Sequence, residues 1–223
     1  MSIARYFDAA ILKPEMTPAQ VEAAIKECIA YDSYSVCVRG CDIDLAMKLC
    51  EGTNTKVGAV LDFPYGYGGI EAKRADARAY AKKGIEDIDM VMNYGAARGG
   101  NWDVVEAEIR AVVEEAHREN VIVKVIFETS QLDDAQIRKA TEVCIAAGAD
   151  FVKTSTGFNG GGATVEAIQA MLETAQGRIK VKPSGGIRNY DTARMYVDMG
   201  VHRLGIGYTS CKTICEGEAA VNK

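Results

Sequence analysis

Phe151-Val152-Lys153-Thr154-Ser155-Thr156-Gly157-Phe158 is the stretch on which the reading of this chain turns. Just upstream, Ala146 to Asp150 (AAGAD) reads as a helix end, with Gly148 at its stop. Phe151-Val152 then reads as a short apolar strand, and the polar run through Gly157 as a turn. Lys153 therefore stands where a buried strand opens into a loop. Lysine is almost never fully buried without a partner. Two readings stand at this point: an ion pair with a nearby carboxylate, or an amine held neutral for attack on a carbonyl.

About thirty residues on, Ile179-Lys180-Val181-Lys182-Pro183-Ser184-Gly185-Gly186-Ile187-Arg188 repeats the grammar of apolar strand, lysine and glycine-rich turn. On consecutive strands of a parallel sheet, the stems of Lys153 and Lys182 start roughly 5 Å apart at carboxyl ends. An ordinary lysine is neutral in only about one molecule in two thousand at pH 7. A second ammonium within ~4–6 Å disfavours the charged form of the first. Such a pair is costly as structure and useful as chemistry, which favours a Schiff-base lysine at 153 tuned by the cation at 182.

Outward from these motifs, the chain has 223 residues, of which 48% are hydrophobic, enough for one sizeable core and within the range of single-domain α/β barrels. Its formal net charge of −5 and the lack of any Lys/Arg block argue against nucleic acid or an anionic membrane as main partner. No apolar run approaches the ~20 residues of a membrane span, and Met1 to Asp8 has no signal-peptide shape. The seven cysteines are odd in number and form no CxxC pair, and His117 and His202 are the only histidines. Reduced thiols in a cytoplasmic protein are expected, with no metal and no cofactor.

In order, the strands are expected at Tyr6–Leu12, Ser35–Val38, Lys56–Phe63, Ile88–Met92, Val121–Glu128, Phe151–Lys153, Ile179–Lys182 and Arg203–Ile206. Helices are expected from Pro18 (capped by Thr17), over Asp42–Leu49, Ile70–Lys83, Asp103–Glu119 (capped by Asp103), Asp133–Ala147, from Thr164, and over Tyr190–Gly200. Val104, Val105, Ile109, Val112 and Val113 form the buried stripe of the fourth of these. Ser210 to Lys223 reads as one short helix that frays, with a tail from about 218. Asp8 is either a capping residue or a side chain pointing into a site. Asp89 shares a face with Val91 and Asn93 inside an apolar strand, where a carboxylate is expensive unless paired or functional. Lys124 lies mid-strand and reads as charge balance, with Asp89 a candidate partner. The Tyr65–Gly69 stretch reads as a plain loop.

Eight strands alternating with helices, without a linker, predict a single α/β domain over 1–223: a (β/α)8 TIM barrel. Its site lies at the carboxyl ends of the strands. The Gly185-Gly186 and Gly205-Ile206-Gly207 turns follow strands seven and eight, where barrels frequently bind phosphate through backbone N–H groups.

AGADFVKTSTGF (Ala147 to Phe158), IDMVMN (Ile88 to Asn93), VKVIFET (Val123 to Thr129) and VKPSGGIR (Val181 to Arg188) together resemble the deoxyribose-phosphate aldolase family, in order and spacing, from about Tyr6 to Gly207. The resemblance implies a (β/α)8 class I aldolase joining acetaldehyde to glyceraldehyde 3-phosphate without a metal. It implies Lys153 as the Schiff-base lysine, Lys182 as its tuning partner and Asp89 as a proton shuttle. Gly157, Gly185 and Gly186 would hold phosphate, and the substrate-contacting set is completed by Asp8, Cys37, Lys124, Thr154, Gly205 and Gly207. The chain departs from the pattern at Ala10, where a threonine is usual, at Gly207-Tyr208 in place of two small hydroxyl residues, at Asp62 before Phe63-Pro64, and in lacking a terminal tyrosine. These departures touch substrate grip and leave the lysines intact, so a weaker hold on the 5-phosphate is expected. Two alternatives remain: an aldolase of the same mechanism with another or unphosphorylated acceptor, and a barrel that only binds a sugar phosphate. Expected partners are small sugar phosphates or aldehydes, with a homodimer as the candidate assembly.

Overall fold

The computed structural model describes residues 2–222. Its strands are β1 (Phe7–Ile11), β2 (Ser35–Val38), β3 (Lys56–Leu61), β4 (Asp87–Val91), β5 (Ile122–Ile126), β6 (Phe151–Lys153), β7 (Lys180–Lys182) and β8 (Leu204–Gly207). Between and after them run α1 (Pro18–Ala30), α2 (Ile43–Cys50), α3 (Ile70–Ala81), α4 (Tyr94–Arg98), α5 (Trp102–His117), α6 (Asp134–Ala147), α7 (Val165–Ala175), α8 (Tyr190–Asp198) and α9 (Cys211–Val221). All strand pairs are parallel, in the order β7-β6-β5-β4-β3-β2-β1-β8, and a bridge between Ser184 and Gly205 brings β8 back to β7. The sheet is thus a nearly closed (β/α)8 barrel. Among the described residues no helix is long and apolar enough to cross a membrane.

Local chemistry explains the element ends. Thr17 and Asp133 open α1 and α6 with reciprocal caps, in which Gln20 and Gln136 return the hydrogen bond to the cap's own N–H. Each such cap is worth about 1 kcal/mol. Gly148 ends α6 in the left-handed conformation at φ 85°, which costs a glycine nothing. The apolar faces of the helices bury Val21, Ile25, Ile109, Val112, Ile137 and Ile168 against the outward side chains of the strands.

Four expectations need correction. β3 stops at Leu61, because Asp62 turns into the left-handed region at φ 50° before Phe63 and Pro64 can continue the strand. Asp103 is not a cap: the helix begins at Trp102 after Asn101, and Asp103 sits inside its first turn. The extra short helix α4, capped by the Asn93 side chain accepting from Ala96 N at 3.0 Å, occupies the preceding stretch. Val104 is exposed, since the buried stripe of α5 runs through Val105, Glu108, Ile109, Val112 and Ala116. Position 218, where a tail was expected, lies within α9. There the Glu218 carboxylate accepts from Ile3 N at 2.9 Å and from Ser2 Oγ at 3.0 Å, tying the two ends of the chain together.

Barrel interiors are usually filled by layers of bulky apolar side chains. This one instead holds Asp8, Asp87, Asp89, Lys124, Lys153 and Lys182, each buried. Period-two alternation puts Asp87 and Asp89 on one face of β4, and strand register sets Asp89 opposite Lys124 and Lys153 opposite Lys182.

Candidate active site

Asp89 is the hub of the buried cluster. Its Oδ2 accepts from Lys153 Nζ and from Lys182 Nζ, both at 2.7 Å, so the two side-chain nitrogens lie no more than twice that far apart. Its Oδ1 faces Lys124 Nζ at 3.1 Å. Burial alone would raise the Asp89 carboxyl, but Lys124, Lys153 and Lys182 outweigh it and hold the group well below the usual carboxylate range. Asp8 sits beneath, with Oδ2 at 2.5 Å from Lys182 Nζ and 3.2 Å from Lys124 Nζ, while Ser35 Oγ donates to its Oδ1 at 2.8 Å. Burial opposes ionisation there too, and Lys124 and Lys182 overcome it, leaving Asp8 at about 2. Burial likewise opposes the charges of Lys124 and Lys182. Both nevertheless lie above the ordinary lysine value, Lys124 well above it, because Asp8 and Asp89, with Asp87 for Lys124, surround them. Lys182 is therefore a fixed cation beside Lys153.

Asp87 completes the cluster and was missed in the sequence, where the strand was begun one residue late. It lies 2.5 Å from Lys124 Nζ, yet burial pushes its carboxyl up to about 6, against the pull of Lys124 and with Asp8 and Asp89 adding repulsion. Below it, Arg203 closes the lower end of the barrel, stacked 3.5 Å over Tyr34 with Nε at 3.9 Å from Asp8 Oδ1.

Above the cluster, over the ends of β6, β7 and β8, opens a cavity of about 400 Å³. Gly157, Gly185, Gly186, Gly205 and Gly207 all line it, together with Thr209 and Ser210 at the start of the last helical segment. Lys13 and Arg188 are its charged lining residues, and no acidic side chain joins them, so the cavity suits an anion. Gly185 is held at φ 85°, and a Cβ there would come within 3.0 Å of Gly162 Cα. Only glycine lets the loops after β6 and β7 meet backbone to backbone. A larger groove of about 540 Å³ lies over the loops after β1, β2 and β3 and shares Leu12 and Phe158 with the first. None of the buried lysines lines either cavity, and the smaller one is the better site because it opens over the ends of β6, β7 and β8 and its lining residue Gly205 packs against the Lys182 stem.

The other candidates are placed less simply. Lys153 is 4% exposed and lies just under the cavity, whose wall resumes at Thr156. Asp8 and Lys124 are in the cluster, not in the cavity wall. Thr154 is turned away: its hydroxyl donates to Ser184 O at 3.1 Å and accepts from Ser184 N at 3.0 Å, pinning β6 to the loop after β7. Gly205 has its N–H committed to Pro183 O at 2.8 Å, and a Cβ on it would stand 3.3 Å from Lys182 Cε, so it supplies room for that stem. Cys37 is buried in a small apolar patch with Leu12 and Val60, against Ala10 and Phe63, and burial pushes its thiol up to about 12.

A protein-family model described as DeoC/LacD family aldolase matches residues 3–216. The deoxyribose-phosphate aldolase of Streptococcus gordonii is 43% identical over 220 residues, covering 99% of this chain and 98% of that protein. The deoxyribose-phosphate aldolase of Deinococcus radiodurans is 43% identical, covering 92% of each. Among solved structures, the aldolase QR15 superposes with a TM-score of 0.92 at 34% identity, over 100% of this chain and 98% of that one. The tetrameric deoxyribose phosphate aldolase of Aeropyrum pernix gives 0.87 at 27%, over 98% and 92%.

Proposed function

The chain belongs to the DeoC/LacD family of aldolases and is an aldehyde-lyase, and from that premise we propose that it cleaves and forms 2-deoxy-D-ribose 5-phosphate through an imine on Lys153. The observation that carries this reading is the sharing of one Asp89 oxygen by Lys153 and Lys182, beneath an acid-free, glycine-lined cavity.

In the cleavage direction, neutral Lys153 Nζ attacks C1 of the open-chain sugar, and loss of water from the carbinolamine leaves a protonated imine. Asp89, through a water molecule, accepts the proton of the C3 hydroxyl as the C2–C3 bond breaks. The bond's electron pair moves into the iminium and gives an enamine on Lys153, while C3 becomes the carbonyl of glyceraldehyde 3-phosphate. Protonation of the enamine carbon and hydrolysis release acetaldehyde and restore the amine. Lys182, a cation held by Asp8 and Asp89, lies beside the attacking amine and keeps Asp89 ionised between turnovers. Gly157 and Gly186 supply backbone N–H groups to the phosphate, Gly185, whose N–H donates to Gly205 O at 3.4 Å, shapes the turn between them, and Lys13 and Arg188 offset the charge from the rim. The hydroxyls of Thr209 and Ser210 stand where the Gly207-Tyr208 pair leaves none of comparable reach.

Borohydride reduction in the presence of acetaldehyde, followed by peptide mapping, tests the assignment. A stable two-carbon adduct on Lys153 is expected, together with release of acetaldehyde from deoxyribose 5-phosphate. An adduct on Lys124 or Lys182 instead would overturn the role given to Lys153, and no adduct at all would favour a barrel that only binds.

A further inference from the structure

Glu128 is a fully buried carboxylate that the reaction above does not use. It follows β5 in the left-handed conformation at φ 57°, a backbone state uncommon for a residue other than glycine and one that tends to occur where geometry is functionally constrained. Among the described residues it has no cationic partner. Its charge is carried by donors from a single loop: Thr156 N donates to Oε1 at 3.3 Å, and Thr156 Oγ1 and Asn159 Nδ2 (2.9 Å) donate to Oε2. Asn159 Nδ2 also donates to Pro64 O at 3.1 Å, across to the loop after β3. Thr156 Oγ1 in turn accepts from Phe158 N at 3.0 Å. The residue so fixed, Phe158, packs edge-on to Phe63 with ring centroids 5.0 Å apart. Phe158 lines both cavities, so this aromatic contact is the partition between them.

We propose that Glu128 is a positioning residue for acceptor specificity: it latches the loop after Lys153 to the loop after β3 and so sets the Phe158–Phe63 wall against which the three-carbon phosphorylated aldehyde is held. This rests on the aldolase reading above. A glutamine at 128 cannot make the same set of bonds. With its NH2 at Oε1 it meets the Thr156 N–H, donor to donor. With its NH2 at Oε2 it meets the Asn159 NH2, and relief by flipping Asn159 sacrifices the bond to Pro64 O. The first orientation loosens the Thr156 anchor of the loop after β6, the second breaks the link to the loop after β3, and neither touches the lysines.

The test compares wild type with Glu128→Gln and Asn159→Ala, reading borohydride-trapped imine with acetaldehyde, and kcat and KM for glyceraldehyde 3-phosphate in the synthetic direction. Asn159→Ala guards against a folding failure of the first variant, because its half-buried side chain makes only the two bonds described. Both variants are expected to trap imine as wild type does and to keep kcat within about threefold. The acceptor KM should rise about tenfold, the scale of one lost hydrogen bond to a charged group. An unchanged acceptor KM in Asn159→Ala, with imine trapped normally, overturns the latch alone. Parallel loss of trapping, kcat and KM in both variants also overturns it, in favour of a merely structural role. Absence of trapping in the wild type overturns the latch and the aldolase reading together.

Discussion

Asp87 lies 2.5 Å from an ammonium and still holds its proton up to about 6, because burial and two neighbouring aspartates act against Lys124. A carboxyl bound to its proton more tightly in the folded chain than in the unfolded one opposes folding once it ionises. Its cost is absent below about pH 4, grows as pH rises through about 6 and is complete above, amounting to a few kcal/mol. Asp8 has the opposite sign: its stabilisation is complete above about pH 4 and is lost as pH falls through about 2. Asp87→Asn should therefore gain on wild type as pH rises from 4.5 to 7.5, measured as the difference in urea unfolding free energies. A variant that instead loses ground at pH 7.5 would mean that pairing with Lys124 outweighs burial. At this scale the sequence was informative wherever a charge broke an apolar strand, which is how Lys153, Lys182, Asp89 and Lys124 stood out. Glu128 escaped because at a strand end a carboxylate looks solvated, and nothing in the local pattern shows that Thr156 and Asn159 will fold over it.

Helix α3 (IEAKRADARAYA) is rich in charged residues, and yet its Lys73 side chain is completely buried. Its ammonium pairs with Glu108 on α5, lies 3.4 Å from Asp62 and donates to Gly66 O at 2.9 Å. One side chain thus ties two neighbouring helices to the loop that carries Phe63, Pro64 and Tyr65. Breaking a buried pair from one side leaves an uncompensated charge and costs about 3–5 kcal/mol. Lys73→Met is expected to lose that much in unfolding free energy, and Lys73→Met/Glu108→Leu to recover most of it by replacing both charges with apolar bulk. A double variant no more stable than the single one would show that the loop contacts, not the ion pair, carry the energy. Element positions were legible because helical period, caps at Thr17, Asp133 and Thr164, and stops at Gly148 are local signals. The Lys73–Glu108 partnership spans 35 positions and depends on how α3 and α5 pack, and the five residues of α4 are too few to show a period.

A barrel is the fold that leaves no sheet edge, and the count of alternating strands and helices made that closure readable in advance. How the ring closes was not readable. β8 pairs with β1 over four residues, from Phe7↔Leu204 to Ala10↔Gly207, but touches β7 only through Ser184 and Gly205, just beyond the strand's end. Pro183, which has no N–H to give, stands at that seam and accepts from Gly205 N through its carbonyl. The glycine-lined cavity opens over the same seam, and Lys182 rises along it, so closure of the molecule and placement of the Lys182 cation depend on one position. A methyl group on Gly205 would stand 2.4 Å from Ser184 Oγ and 3.3 Å from Lys182 Cε. Overpacking of this kind costs about 1–3 kcal/mol, and here the strain falls on the cation beside Lys153. Gly205→Ala is expected to lower kcat/KM for deoxyribose 5-phosphate ten- to a hundredfold, and Ser184→Gly in the same chain to restore a large part of it by vacating the space. Full activity in Gly205→Ala would show that the seam can widen without moving Lys182, and no recovery in the double variant would show that contact with Ser184 is not what causes the loss.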